Sequence, residues 1–407
     1  MNEAGAGEHL LVIAREEDAV ALAARAGRAE ALAVDVEANG LFAYRARLCT
    51  VQLAFAEQGR MVIAVVDTLA VPVAPLAGLL GPEGPPKILH DLSFDARLLA
   101  ETGAPLGCAR DTSVAARFLG HTATGLAAIC AAELGVQLDK QRQQHDWGKR
   151  PLGAEDLAYL ADDVRHLLAL DDRLRARVAA LGIEDEVAAE CAWKLASASR
   201  PPRDARPGYV RVKGAADLDA AGRAILRRLV DARERVAEAE DRPPFKIVSN
   251  EVLLEVARKR PASVEALRKL RGGDHAARWT DAWLRAVDEG LRDGDIPEED
   301  RAHFEPARVD RRAIAQRRAL EARFTAWRRA EAKARGVDEQ VVLPGHCAQD
   351  LVELALTTPP DAAQVREAIA RIPGLGHRRL ERYAELLVAL TLAPAPPPDP
   401  PKSKPWP

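Results

Sequence analysis

A run of breakers and charge, Arg200-Pro-Pro-Arg-Asp-Ala-Arg-Pro-Gly208, splits the 407 residues into two parts with different hydrophobic periods. Proline and glycine at this density end helices and strands alike, so the run marks a domain boundary. Before it, short β-like runs alternate with helical patterns. Leu10 to Ile13, Ala31 to Val36, Leu48 to Phe55, Met61 to Val66 and Lys87 to His90 predict strands, and a long helix is predicted from Glu155, after Pro151, to Leu181. That alternation predicts a layered α/β or α+β domain. Beyond Arg200 the periodicity is helical with no convincing strand, so the C-terminal half is predicted to be all-α.

Within the helical half a module recurs. Glu255-Val-Ala257 followed by Pro261 returns as Glu353-Leu-Ala355 followed by Pro359, at an offset of 98 residues. Helical stretches Ile225 to Ala239 and Ala319 to Ala334 precede the copies, and Val264 to Leu270 and Ala363 to Arg371 follow them. Two copies are too few for a solenoid, so the pattern reads as a duplicated helical module. A breaker-bearing stretch around Gly290 to Pro306 separates them, and Ala393 to Pro407 is a proline-rich tail expected to be extended and mobile.

Composition narrows the class. With 48% hydrophobic and 29% charged residues, wholesale disorder and fibrous architectures are excluded. No apolar run approaches the roughly 20 residues that span a bilayer. Met1 to Leu10, with Glu3 and Glu8, lacks the basic-then-apolar order of a secretory signal, so a cytoplasmic protein with no membrane partner is expected. Cys49, Cys108, Cys130, Cys191 and Cys347 form no C-x-x-C pair and are expected to be reduced core residues. Residues 1–200 carry 20 Lys/Arg against 28 Asp/Glu, and residues 201–407 carry 38 against 33. The split suggests an acidic catalytic part followed by a basic part that holds nucleic acid.

Chemistry concentrates in carboxylates. Asp35 and Glu37 end the apolar strand Ala31-Leu-Ala-Val-Asp-Val-Glu37, and strand alternation puts i and i+2 on one face. Asp91-Leu-Ser-Phe-Asp95 follows a predicted strand and leads into a helix, placing Asp95 in the first turn. Tyr159 and Asp163 are four apart on the predicted helix and share a face. Leu157, Leu160, Val164, Leu167 and Leu168 define its buried stripe. At about 100° per residue, Asp163 lies about 90° from the centre of the stripe and Asp162 nearly opposite, which assigns Asp163 as ligand and Asp162 as a solvated neighbour. Gathered carboxylates repel one another unless cations neutralise them, and hard oxygen donors suit two Mg²⁺ or Mn²⁺ ions serving phosphodiester hydrolysis. Tyr159, with an ordinary phenol pKa near 10, is expected to orient the attacking water rather than take its proton.

These residues resemble the DEDD 3′-to-5′ exonucleases of the tyrosine subtype, and within them ribonuclease D. Asp35-Val-Glu37 followed by Tyr44-Arg-Ala-Arg-Leu-Cys-Thr-Val-Gln52 is similar to the first motif, Ile88-Leu-His-Asp-Leu-Ser-Phe-Asp95 to the second, and Tyr159 to Asp163 to the third. Leu138-Asp-Lys140, Asp146-Trp147 and Arg150-Pro-Leu152 lead to the third motif as in ribonuclease D. Ala158 stands where the histidine subtype would have its histidine. Phe245-Lys-Ile-Val-Ser-Asn250, Leu254-Glu-Val-Ala257, Ile372-Pro-Gly-Leu-Gly376 and Tyr383-Ala-Glu-Leu-Leu387 resemble tandem HRDC domains. No G-x-x-x-x-G-K-[ST] or zinc spacing appears, so a helicase motor is unsupported.

The resemblance implies an α/β ribonuclease H-like exonuclease domain with a mixed sheet over residues 1–198, a linker 199–216, and a helical-bundle HRDC domain over 217–293. It further implies a linker 294–311, a second HRDC-like domain over 312–392 and a disordered tail 393–407. It implies Asp35, Glu37, Asp95 and Asp163 as metal ligands, with Tyr159 completing the catalytic set. The implied activity is release of nucleoside 5′-monophosphates from RNA with a free 3′ end, tRNA precursors among them, by a monomer. Ala38 and Gly40 depart from the aromatic and basic residues often found beside the first motif. Phe42, Tyr44 and Phe94 are candidate stacking residues, and Gln52 and His90 candidate contacts within the motifs. Arg378 and Arg379 belong to basic clusters, with Arg227-Arg228, Arg258-Lys-Arg260, Arg268-Lys-Leu-Arg271 and Arg328-Arg329, that could neutralise phosphates. Gly374 and Gly376 could bring backbone N–H groups to a phosphate or form a tight interhelical turn. A DNA exonuclease of the same chemistry and an inactive RNA-binding scaffold are the alternatives.

Overall fold

The computed structural model describes residues 8–139, 144–200, 206–270, 277–305, 310–357 and 361–394. Lys140, Arg271, Pro359 and the proline-rich tail from residue 395 lie outside the described residues, as do parts of both expected linkers. Strands β1 (Glu8–Ile13), β2 (Leu32–Ala38), β3 (Leu48–Glu57), β4 (Arg60–Asp67), β5 (Lys87–Leu89) and β6 (Ala109–Asp111) form one mixed sheet in the order β1-β4-β3-β2-β5-β6. The β2, β3 and β4 strands pair antiparallel; β1 joins β4, and β5 and β6 extend from β2, in parallel. A two-residue loop, Gln58-Gly59, joins β3 to β4 with φ of 51° and 77°, the backbone twist that tight hairpins favour. Eight successive buried residues in β3 mark it as central, with both faces covered.

Helices α1 (Glu16–Ala26), α2 (Ala77–Leu80) and α3 (Ser93–Glu101) cover one face over Leu32, Val34, Leu53 and Phe55. Helices α4 (Thr112–Phe118), α5 (Leu126–Leu134), α6 (Ala154–Arg165) and α7 (Leu167–Leu181) cover the other over Ala33, Ala54, Ile63 and Ile88. Helix α8 (Glu184–Ala198) closes the β6 edge, packing on β6, α3 and α4.

The helix expected from Glu155 to Leu181 is two helices. His166, at φ −101° and ψ −5°, separates α6 from α7, so α6 lies across β2, β3 and β4 while α7 packs on β5, α4 and α5. No proline or glycine signals the break, because it is set by what each half packs against. Strand β6 was not anticipated, since three residues are too short to display a period. Cys49, Cys130, Cys191 and Cys347 are buried free thiols, whereas Cys108 is exposed at the entrance to β6, with φ 48°.

Among the described residues, everything beyond Arg200 is helix, turn or loop. Helices α9 (Ala220–Ala239), α10 (Pro244–Ile247), α11 (Asn250–Lys259), α12 (Val264–Arg268), α13 (Thr280–Asp293) and α14 (Glu298–Arg301) enclose a core of Ile225, Leu229, Leu253, Ala257, Leu267 and Trp283. Tyr209, Val210, Val212 and Ala215, from the segment expected as linker, are buried in this core. Gly290 sits inside α13 rather than in a separating loop. Helices α15 (Arg311–Arg335), α16 (Glu339–Val342), α17 (Gly345–Thr357), α18 (Ala362–Ala370) and α19 (His377–Leu392) enclose a second core around Phe324, Cys347, Leu351, Ile369 and Leu387. The repeated Glu255-Val-Ala257 and Glu353-Leu-Ala355 lie in α11 and α17. No helix among the described residues is long and apolar enough to cross a membrane.

Both helical units dock on the sheet domain. The C-terminal unit seats on α8: His346 stacks on Trp193 at 3.6 Å and 7°, His346 Nε2 meets Glu190 Oε2 at 3.0 Å, and the Arg378 backbone N–H donates to Asp185 Oδ2 at 3.0 Å. Gly374 and Gly376, at φ 82° and 77°, face this seam, where a Cβ would fall 2.9 Å from Trp193 Cβ and Ala189 Cβ respectively. Their lack of a side chain permits this close contact between the domains.

Arg379 is likewise no surface cation. It is 1% exposed and donates to the carbonyls of Val341 (2.8 Å), Gly374 (3.1 Å), Leu375 (3.0 Å), Gln340 (3.1 Å) and Glu186 (3.5 Å). Tertiary contact converts one arginine of an exposed-looking pair into a structural node. Arg379→Ala, which removes these buried hydrogen bonds and the packing of the guanidinium, is expected to destabilise the chain by about 2–4 kcal/mol, read from the urea midpoint at unchanged slope.

Candidate active site

The burial pattern of β2 shows the alternation that aims its carboxylates. Val34 and Val36 are buried on one side, while Asp35 and Glu37 reach the partly open other face. The β2–β3 register shifts between Glu37 and Ala38, a local irregularity beside the site. Helix α6 crosses this face and supplies Asp163, whose ligand oxygen lies within 4.8 Å of those of Asp35 and Glu37. Asp95, in the first turn of α3 and 6% exposed, stands near enough for Asp35 and Glu37 to perturb it. Asp162 turns away and pairs with Arg165.

Electrostatics express the crowding. Burial pushes Asp35 up to about 7. Burial and then the charges of Asp35 and Asp163 push Glu37 up to about 9. Burial and then Asp35 push Asp163 up to about 8. Asp95 is raised well above the carboxylate range by burial, then by Asp35 and Glu37. Carboxylates gathered against this penalty form an oxygen donor set for a hard divalent cation, and their spacing fits one.

Tyr159 shares the α6 face with Asp163. Burial, followed by the negative charges of Asp163 and Glu37, raises its phenol above the ordinary value, so Oη keeps its proton. Behind it, Trp147 is 1% exposed with its ring 5.6 Å from that of Tyr159, and His145 meets Trp147 edge-on at 4.9 Å. Trp147 is followed by Arg150, which holds Asp67 through Nε at 2.6 Å and the Cys49 carbonyl at 2.8 Å. The Trp147–Arg150 segment therefore buttresses Tyr159.

The candidate nucleic-acid contacts divide. Phe94 is 48% exposed beside Asp95, with the Arg97 guanidinium 5.9 Å from its ring centre. Gln52 is fully buried; its ladder partner is Asp35, and Nε2 donates to Thr50 Oγ1 at 2.7 Å, so it presents no surface in this structure. His90 is half-buried against Thr112 Oγ1 at 2.9 Å. Phe42 and Tyr44 belong to the loop after β2, which grips the first helical unit. Lys246 Nζ caps the Phe42 ring at 4.1 Å, the Tyr44 N–H donates to Asp241 Oδ1 at 3.1 Å, and Arg45 pairs with Glu238 at 3.2 Å. Arg378 remains exposed, with Glu381 at 3.4 Å.

Comparison with known proteins gives this arrangement a lineage. Residues 11–179 match the 3′-5′ exonuclease family and residues 222–287 match the HRDC domain. The ribonuclease D of Acidiphilium cryptum is 30% identical over 304 residues, 72% of this chain and 75% of that protein. The chain belongs to the ribonuclease D family. The family's enzymes are 3′-5′ exonucleases, and here that domain holds all four carboxylates. The ribonuclease D of Gluconacetobacter diazotrophicus is 32% identical over 266 residues, 64% of this chain and 66% of the relative. The chain thus spans about two thirds of the length of the curated relatives it matches. The crystal structure of Escherichia coli RNase D shares the fold, with a TM-score of 0.64 and 23% identity over 94% of this chain and 98% of that one.

Proposed function

We propose that the chain is a metal-dependent 3′-to-5′ exoribonuclease that removes nucleoside 5′-monophosphates from structured RNA, tRNA precursors among its substrates. The observation that carries this reading is the convergence of Asp35, Glu37 and Asp163, with Asp95 beside them, on the domain that matches the exonuclease family. These four residues would hold two Mg²⁺ or Mn²⁺ ions. Bound there, such ions neutralise the carboxylates, lower the pKa of a water and stabilise the oxygen that leaves the phosphodiester. Tyr159 Oη, protonated, holds the attacking water by donating a hydrogen bond or by accepting one from it. Trp147 fixes the Tyr159 ring, and Phe94 offers a face to the terminal base. Residues 312–392 act as a second HRDC-like unit, and the Arg and Lys side chains of both helical units contact phosphates. The enzyme works as a cytoplasmic monomer.

Tyr159→Phe is expected to lower kcat about 10–100-fold with little change in KM, because water is bound but no longer oriented. Matched 5′-labelled RNA and DNA oligonucleotides, with free or phosphate-blocked 3′ ends, test the whole reading in Mg²⁺, Mn²⁺ or chelator. Stepwise shortening of RNA that needs metal and a free 3′ end is expected. Preferential shortening of DNA rejects the RNA assignment, and binding without shortening rejects catalysis.

A further inference from the structure

A half-buried cation, Lys194, reaches the turn that leads into the helix carrying Asp95 without belonging to the carboxylate cluster. Lys194, on α8, places Nζ 2.6 Å from Asp111 Oδ2 and 2.9 Å from Asp91 Oδ1. The Asp111 side chain is fully buried and caps α4 by accepting from the Ser113 N–H at 2.9 Å. It also accepts from the backbone N–H groups of Asp91 at 3.0 Å and Leu92 at 3.2 Å. Asp91 adopts φ 64°, a left-handed conformation that aspartate takes up more readily than most residues and that turns the chain here into α3. The Leu92 carbonyl receives the Ala96 N–H at 2.9 Å, so the turn clamped by Asp111 is the turn that starts α3, whose first turn contains Asp95.

We propose that Lys194 is a positioning residue for Asp95: by neutralising Asp111 and tethering Asp91, its ammonium fixes the turn that sets where the Asp95 carboxylate stands. The proposal rests on the reading of Asp95 as a metal ligand. Lys194 is itself firmly held. The next residue back, Trp193, stacks on His346, and Arg379 reaches the Glu186 carbonyl on the same helix, so α8 is braced by the C-terminal helical unit. Without Lys194 the buried Asp111 carboxylate would lose its cation, and the clamp on Asp91 and Leu92 would loosen. The first motif and Asp163 would be untouched, because they arise from β2 and α6.

The test uses the full chain with Lys194→Met, Lys194→Arg and Asp91→Asn. Mn²⁺ binding without RNA is followed by electron paramagnetic resonance, alongside kcat, KM and the urea midpoint. Outer-shell partners of metal ligands typically change affinity or activity about 10–100-fold, and Lys194→Met is expected to weaken Mn²⁺ binding and lower kcat in that range while KM for RNA stays within about two-fold. Lys194→Arg, which keeps the cation, is expected to recover most of both. Unchanged Mn²⁺ affinity in Lys194→Met overturns the proposal, whatever its stability. If Lys194→Met does not fold, Asp91→Asn decides: this exposed side chain can lose its charge without disturbing a core, and about three-fold weaker Mn²⁺ binding supports the tether, whereas unchanged binding overturns it. Failure of the wild-type chain to bind Mn²⁺ or to shorten RNA overturns the underlying reading instead.

Discussion

Asp163→Asn is expected to lower kcat on a 5′-labelled RNA oligonucleotide by about 10³-fold at saturating Mg²⁺, while Asp162→Asn stays within about two-fold of wild type. The two residues are adjacent, yet Asp163 lies within 4.8 Å of Asp35 and Glu37 whereas Asp162 pairs with Arg165. Removing Asp163 subtracts one hard anionic donor from a set of four and weakens charge stabilisation in the transition state. RNA affinity in chelator is expected to change little, because the cations proposed to contact phosphates lie elsewhere. Asp163→Asn is also expected to raise the melting temperature of the metal-free protein, since it removes one carboxylate that burial and Asp35 make costly to ionise. A mutant of near-wild-type rate rejects Asp163 as a ligand.

The metal-free chain is expected to lose stability steadily as pH rises from about 5 to about 9. Asp35, Glu37 and Asp163 are pushed up to about 7, 9 and 8, from ordinary values of 3.8, 4.5 and 3.8. The folded state therefore binds protons more tightly than the unfolded state. Their stabilising contribution is complete below about pH 4 and disappears as pH climbs through the raised folded values. Divalent cation binds the ionised cluster, so Mg²⁺ or Mn²⁺ is expected to restore the melting temperature above pH 7 and to do little at pH 5. Thermal scans in chelator and in Mg²⁺ across this range measure it. A flat profile in chelator, or equal stabilisation by Mg²⁺ at pH 5 and pH 9, contradicts the assignment of these carboxylates as a metal cluster.

Much of the site is legible in the sequence because its rules are local. The alternation of β2 decides that Asp35 and Glu37 point together, and the phase of α6 separates Asp163 from Asp162 within one turn. Both depend on neighbours no more than a few residues away. The same locality made five of the six strands visible as apolar runs and left the three-residue β6 invisible.

What the chain could not disclose is what each side chain meets across the fold. Gln52 and Arg379 look available in sequence, but a central strand seals the first beneath Asp35 and the α8 seam surrounds the second with carbonyls. Phe42 and Tyr44 look like free stacking residues until the first helical unit, about 200 positions away, caps the Phe42 ring with Lys246 and packs its core against Tyr44. Lys194 carries no motif at all; its role comes from Asp111, 83 positions distant, being buried beside it. Sequence by itself determined the carboxylates, their order and the helical character of the C-terminal half, because backbone period and spacing are written locally. Tertiary structure alone decided which cations and aromatics remain exposed, because exposure and partnership are properties of elements brought together from far apart.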